Sequence, residues 1–144
     1  MSTADALYQQ VIKDWAQADH GHGRLAAADA EARLDNPLCG DRVRVQVSLG
    51  GGRIEAIAHE TRGCLLCRAA ASLLGARAAG LDGAAIDELV RALESLLREQ
   101  TPAPEDWPEL GMFQPVHAFA SRHKCALLPF KALQAAMRSA AGAP

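Results

Sequence analysis

The chemistry of this chain is concentrated in four cysteines, each set beside residues that change how a thiol behaves. Cys39 lies in Asn36-Pro37-Leu38-Cys39-Gly40-Asp41. Proline restrains that loop and glycine permits a sharp turn, so a thiolate and a carboxylate two residues apart can be aimed at one point. Cys64 stands in Gly63-Cys64-Leu65-Leu66-Cys67, where a helix is expected to begin. The unpaired N–H groups and the dipole of a helix start favour a thiolate there. Cys67 follows three residues later, on roughly the same helix face. A CxxC pair alone reads as half a zinc site, a redox pair or a coincidence, and the βαβ context of a thioredoxin-like pair is missing. Cys125 closes Arg122-His123-Lys124-Cys125, just before the last helix, and its basic neighbours are expected to lower its pKa.

Thiolates are soft donors suited to zinc or iron–sulfur clusters, and a tetrahedral site needs four donors. Cys39, Asp41, Cys64 and Cys125 supply four. A carboxylate oxygen is a harder and more weakly held donor for such metals, as suits a site that must release what it holds. Cys67 offers a fourth thiolate in place of Asp41. Against these readings stand plainer ones: buried cysteine is common and inert, and Asp41 can simply bond the backbone of its own turn. Of the five histidines, His20 and His22 are expected to be solvated in a glycine loop and His59 packed at a strand end, and His117 reads as ordinary. Only His123, beside Cys125, is a functional candidate. Trp15 and Phe130 read as core.

The elements that must position these groups follow from periodicity. Ala4 to Ala18 reads as a helix with Leu7, Val11 and Trp15 on its inner face, broken by His20 to Arg24. Ala30 to Asp35 reads as a short strand. Arg42 to Leu49 alternates, with Val43, Val45, Val47 and Leu49 on one side, as in a half-buried strand. Gly50-Gly51-Gly52 turns the chain into a return strand, Arg53 to Glu60, whose bulkiest members are Ile54 and Ile57. Gly63 to Ala79 reads as a helix ending at Gly80. Asp82 is placed to cap the next one, whose inner face carries Ile86, Leu89, Val90, Leu93, Leu96 and Leu97 to about Gln100. Thr101 to Pro108 is a proline-bearing loop, and Glu109 to Ala120 a short helix. The last helix carries Leu133 and Met137 inward, with regular helix starting near Leu127 or Leu128, or kinking there, because of Pro129. The order is that of an α+β fold, a small antiparallel sheet packed against several helices, expected as one domain over residues 1–144.

The bulk numbers exclude several classes. Hydrophobic residues make up 49% and aromatics 4%, so the core is built from aliphatic side chains and alanine. The net charge is −2, with 15 basic and 17 acidic residues and no basic run, which argues against nucleic acid as a partner. No apolar run approaches the roughly 20 residues of a membrane span, and no signal-peptide core opens the chain. A cytoplasmic protein with reduced thiols is expected.

Taken together and in order, these segments resemble the IscU/NifU N-terminal scaffold family, especially its SufU-type branch. The resemblance runs through Asn-Pro-x-Cys-Gly-Asp at 36–41, the strand hairpin, Gly63-Cys64 before a small-residue helix (Ala69, Ala70, Ala71, Ser72), and Arg-x-Lys-Cys-Ala at 122–126 leading to Lys131-Ala132-Leu133. It covers roughly Leu7 to Met137. It implies a protein that accepts persulfide sulfur from a cysteine desulfurase. Scaffold members combine that sulfur with iron into a [2Fe–2S] cluster for apo iron–sulfur acceptor proteins, whereas SufU-type members hold zinc and act as sulfur acceptors. The ligand set it implies is Cys39, Asp41, Cys64 and Cys125, with the sulfur taken by Cys125 in a scaffold and by Cys39 in a SufU-like protein. Neither role makes the chain an enzyme in the usual sense.

Departures are visible. Lys124 stands where the IscU branch has histidine, and the Leu-Pro-Pro-Val-Lys chaperone-docking motif is absent. The long segment from Gly80 to Arg122 resembles the SufU branch, while Cys67 and Pro129 fit neither. Three other classes compete: a zinc-stabilised interaction module built on Cys39, Cys64, Cys67 and Cys125, a dithiol oxidoreductase using Cys64 and Cys67, and a redox or metal sensor.

Overall fold

The computed structural model describes residues 3–142, with side-chain surroundings from Tyr8 onward. The elements run α1 (Thr3–Ala18), β1 (Ala30–Asn36), β2 (Asp41–Gly50), β3 (Arg53–Arg62), α2 (Leu65–Arg77), α3 (Gly83–Glu99), 3₁₀ turns over Pro108–Ala118 and Ala120–Arg122, and α4 (His123–Ala140). The strands form an antiparallel sheet in the order β1-β2-β3. This is the expected α+β arrangement.

The alternation of β2 decides which face is covered. Val43, Val45 and Val47 are buried, and α4 lies against β1 and β2 while α2 lies against β3. The opposite face is a charge ladder, with Arg42–Asp35 at 3.3 Å, Arg44–Glu60 at 3.6 Å and Gln46 donating to Glu31 at 2.8 Å. Such exposed pairs add little stability each; their effect is to keep that face wet and free of helices. The alternation stops at Leu49, which is only partly buried, because a bulge between Ser48 and Leu49 shifts the register and pairs Leu49 with Ile54. Ile54 is accordingly buried and Ile57 only half so.

Helix α3 buries the six residues of its expected stripe. Asp82 caps it by accepting from the Ala85 N–H at 2.9 Å, and Gln100 closes it in the left-handed conformation at φ 57°. One expectation is corrected and two are refined. The inner face of α1, which packs against α2, carries Ile12 and Ala16 rather than Val11, which is 40% exposed. Trp15 packs at the core edge, and the side chain of Leu7 lies outside the described residues. The short helix expected over Glu109 to Ala120 is present over Pro108–Ala118 and winds as 3₁₀, with Pro115 inside it. Last, of the two expectations for α4, a start near Leu127 or Leu128 is overturned: the helix starts at His123, with Pro129 within it. That proline has no N–H to give to the carbonyl of Cys125, four residues earlier.

The tightest backbone approach lies where the loop after α1 crosses α2. A Cβ on Gly75 would stand 2.0 Å from the His20 carbonyl oxygen, and one on Gly21 would stand 2.8 Å from the Gly75 Cα. Both contacts are with backbone and cannot relax by turning a side chain. Gly75→Ala is therefore expected to destabilise the fold by about 3 kcal/mol or more, read as a lowered urea midpoint. An unchanged midpoint would contradict the observed crossing.

Candidate metal centre

Three chain junctions meet at one end of the sheet. The first is the turn between β1 and β2. Asn36 holds it: its carbonyl accepts from Cys39 N at 3.2 Å and Gly40 N at 2.8 Å, and its side-chain oxygen accepts from Leu38 N at 3.3 Å. Gly40 takes φ 72°, which a side chain would strain. The turn leaves Cys39 exposed at its tip and starts β2 with Asp41 on the covered face, two residues ahead of Val43. Asn36 is 5% exposed, pairs with Asp41 in the strand register and keeps a buried, unpartnered Nδ2. The sequence reading gave Asn36 no role; its signal was the Asn-Pro start of the motif.

The second junction is the start of α2. Cys64 is its N-cap residue, half-buried, with no cap bond from its own side chain. Its backbone N–H instead donates to Asp41 Oδ1 at 3.1 Å. Gly63 is required by the same contact, because a Cβ there would stand 2.6 Å from Asp41 Oδ1. The third junction is the start of α4, where Cys125 is the third helical residue and 2% exposed.

One ligand atom from each of Cys39, Asp41 and Cys125 lies within 4.8 Å of the other two. The Cys125 and Cys39 sulfurs are 3.6 Å apart. Two thiolates on a tetrahedral zinc, at a Zn–S distance near 2.3 Å, stand about 3.8 Å apart, so this pair is spaced for a shared metal. Asp41 is 2% exposed, and its Oδ2 is buried without a hydrogen-bond partner. An ionised oxygen left so is costly unless a cation meets it. Cys64, expected as the fourth ligand, is not part of that mutually close group; its backbone N–H joins it through Asp41 Oδ1. The set can thus hold a metal ion or the iron of a cluster.

Cys67 is placed differently. It is fully buried in the core against α2's other inward residues and does not join the group of mutually close ligand atoms. Burial first, and then the charges of Asp41, Cys64 and Cys39, push its thiol far above the usual range. For Cys125 the expected depression by basic neighbours is reversed. Burial first, and then the closeness of Asp41, Cys39 and Cys64, push its thiol up, while Lys124 is exposed to solvent. His123 also departs from expectation: its Nε2 meets the Val116 and His117 carbonyls at 3.1 Å each, fixing the 3₁₀ segment to α4.

Beside Cys64 and Leu65 lies an open, mainly apolar groove of about 940 Å³, bounded by Tyr8, Ile12, Val116 and Phe119. Phe119 is 60% exposed, and Leu38, next to Cys39, is 84% exposed. In metal-free protein near neutral pH, iodoacetamide should label Cys39 first, Cys125 much later and Cys67 last, as followed by peptide mass spectrometry. Equal labelling rates for Cys39 and Cys67 would contradict the burial described.

Several known proteins are similar to this chain in sequence and fold. Residues 7–126 match the NifU-like N terminal domain family. An iron-sulfur cluster assembly scaffold protein IscU from Streptococcus pyogenes serotype M1 is 28% identical over 144 residues, spanning 99% of this chain and 90% of that protein. A zinc-dependent sulfurtransferase SufU from Bacillus subtilis (strain 168) is 30% identical over 135 residues, spanning 90% of this chain and 88% of its own. The crystal structure of a nitrogen-fixing NifU-like protein (N-terminal) from Brucella abortus superposes with a TM-score of 0.91 at 30% identity, covering 98% of this chain and 99% of that one. With the family match spanning most of its length and the whole architecture shared, the chain belongs to the NifU-like N-terminal domain family.

Proposed function

We propose that this protein serves iron–sulfur cluster assembly, taking persulfide sulfur from a cysteine desulfurase and holding a nascent [2Fe–2S] cluster or a zinc ion at Cys39, Asp41, Cys64 and Cys125. The observation that carries this is the 3.6 Å approach of the Cys39 and Cys125 sulfurs beside the orphaned Asp41 Oδ2. The names of the IscU and SufU relatives support the same reading.

The chain's own residues divide the work. Cys39 is the exposed thiol and receives the sulfur. Its thiolate attacks the outer sulfur of the donor's persulfide; the donor S–S bond breaks, the donor cysteine leaves as thiolate, and Cys39 becomes the persulfide, with no net oxidation. Cys125 stands behind it as the second acceptor. Asp41 contributes one oxygen outward while its other oxygen is tied to Cys64 N–H. When bound, the metal supplies the positive charge that lets these thiols stay deprotonated. The apolar groove beside Cys64, with exposed Leu38 and Phe119, offers the desulfurase and the acceptor proteins an apolar contact.

A second reading, a zinc-dependent sulfur acceptor that builds no cluster, is favoured by the exposure of Cys39, the thiol that would take the sulfur in such a protein, while Cys125 is buried. A four-cysteine interaction module using Cys67 is disfavoured by that residue's place in the core. Metal and acid-labile sulfide should be measured in anaerobically purified protein before and after incubation with a cysteine desulfurase, cysteine and ferrous iron. Iron and sulfide in matching amounts support the scaffold. Persistent zinc with sulfur appearing only as persulfide supports the sulfur acceptor. Cys39→Ser, Cys64→Ser and Cys125→Ser should each lose persulfide loading or metal retention, and full retention in all three would sink the proposal.

A further inference from the structure

A second group of potential ligands lies where α1 ends, on elements the thiol cluster does not use. Asp19 follows the helix in the left-handed conformation at φ 47°. His22 lies three residues on, and a parallel bridge sets it directly beside His59 of β3. Two backbone bonds fasten that bridge, Gly23 N–H to the His59 carbonyl and His59 N–H to the Gly21 carbonyl, each at 2.9 Å. The side chains converge. His22 Nδ1 is 3.5 Å from Asp19 Oδ2, His59 Nε2 is 3.8 Å from Asp19 Oδ1, and one ligand atom of each residue lies within 4.8 Å of the others. Two nitrogen or oxygen donors on a tetrahedral zinc, at about 2.0–2.1 Å from the metal, stand about 3.3–3.4 Å apart. The two approaches use different oxygens of Asp19, and from separations of up to 4.8 Å the ligand atoms would close by up to about 1.5 Å to share one ion.

We propose that Asp19, His22 and His59 form a second metal site, for a divalent first-row transition ion bound through nitrogen and oxygen. Two imidazoles and one carboxylate are a donor set that zinc, ferrous iron, cobalt and nickel accept, and it is distinct in softness from the thiol cluster.

The surroundings are arranged for it. His59 is 2% exposed, and its Nδ1 lies 2.9 Å from Thr61 Oγ1. With a metal on Nε2, the Nδ1–H donates to that hydroxyl oxygen, the outer contact that orients ligating imidazoles. His59 Nε2 also lies 2.8 Å from the His20 carbonyl oxygen. When the Nε2 proton is displaced, that oxygen is left facing the ion as a fourth donor. Burial holds the pKa of His59 below the ordinary histidine value. The C-terminal end of α1, which precedes Asp19, adds a partial negative charge of about half a unit. A bound ion would tie the end of α1 to β3 across the loop that crosses Gly75.

Cobalt titration of the metal-free full chain tests this. Thiolate-bound cobalt absorbs strongly through charge transfer, whereas cobalt on nitrogen and oxygen does not, so total bound cobalt by equilibrium dialysis and the thiolate band report the two sites separately. His22→Ala and Asp19→Asn change exposed or half-exposed side chains and leave buried His59 in place. Each is expected to lose one bound cobalt per chain, or to bind it more than about tenfold more weakly, with the thiolate band unchanged. Wild-type cobalt content and affinity in either variant overturn the site.

Discussion

The hydrogen bond from Cys64 N–H to Asp41 Oδ1 is the constraint on which the thiol cluster depends. It joins the first residue of β2 to the cap of α2, two segments 23 residues apart in the chain. An aspartate usually caps its own helix from the N-cap position, accepting from a residue two or three further on. Here the capping oxygen comes from a strand, and the N-cap position is released for a cysteine. One carboxylate thereby satisfies an orphan helix donor, fixes the hairpin against α2, and keeps a second oxygen turned to the sulfurs. Gly63 follows directly, since any side chain there would strike the same oxygen.

The electrostatics of such a cluster do not balance within the protein. Three thiolates and a carboxylate amount to four negative charges, while two helix N-termini supply only about half a charge each. The protein's answer is visible at Cys125 and Cys67, whose thiols are pushed strongly toward the protonated form by burial and by their acidic neighbours. The unpartnered Asp41 oxygen is the same imbalance seen from the carboxylate. A dication reverses all of these preferences together, which is why affinity and thiol deprotonation are linked at sites of this kind.

Much of this could be read from the residues. The alternation of Val43, Val45 and Val47 gave β2 and its covered face, and the α3 stripe with its Asp82 cap was recovered residue for residue. The grouping of Cys39, Asp41 and Cys125 was expected from motif order, and the three side chains do converge. What periodicity could not supply was set by tertiary contact. Val11 is turned outward while Ile12 and Ala16 face the core, and Leu49 lost its alternation to a bulge. The basic run before Cys125 suggested a lowered pKa, but side chains adjacent in sequence on a helix start need not face the thiol, and burial decided the sign. The grouping of His59 with Asp19 and His22 depends on an isolated bridge between a loop and a strand 37 residues apart, which no local pattern announces.

Pro129 is the remaining departure, and it bears on the same end of the molecule. A proline at the seventh position of α4 removes the N–H that would have bonded the Cys125 carbonyl, so the turn carrying Cys125 is held by one backbone bond fewer. The cost is met elsewhere: Phe130, Ala132 and Leu133 are essentially fully buried, and they anchor the helix beyond the proline. The first turn gains its footing from His123, whose ring nitrogen meets two carbonyls of the preceding segment. The cysteine thus sits between two fixed points on a turn with a weakened ladder, while Cys39 sits on an exposed hairpin tip. The two sulfurs nearest each other are thus carried by a helix turn one backbone bond short and by an exposed hairpin tip, while Asp41 and Cys64 are tied to each other directly by the Cys64 N–H to Asp41 Oδ1 bond.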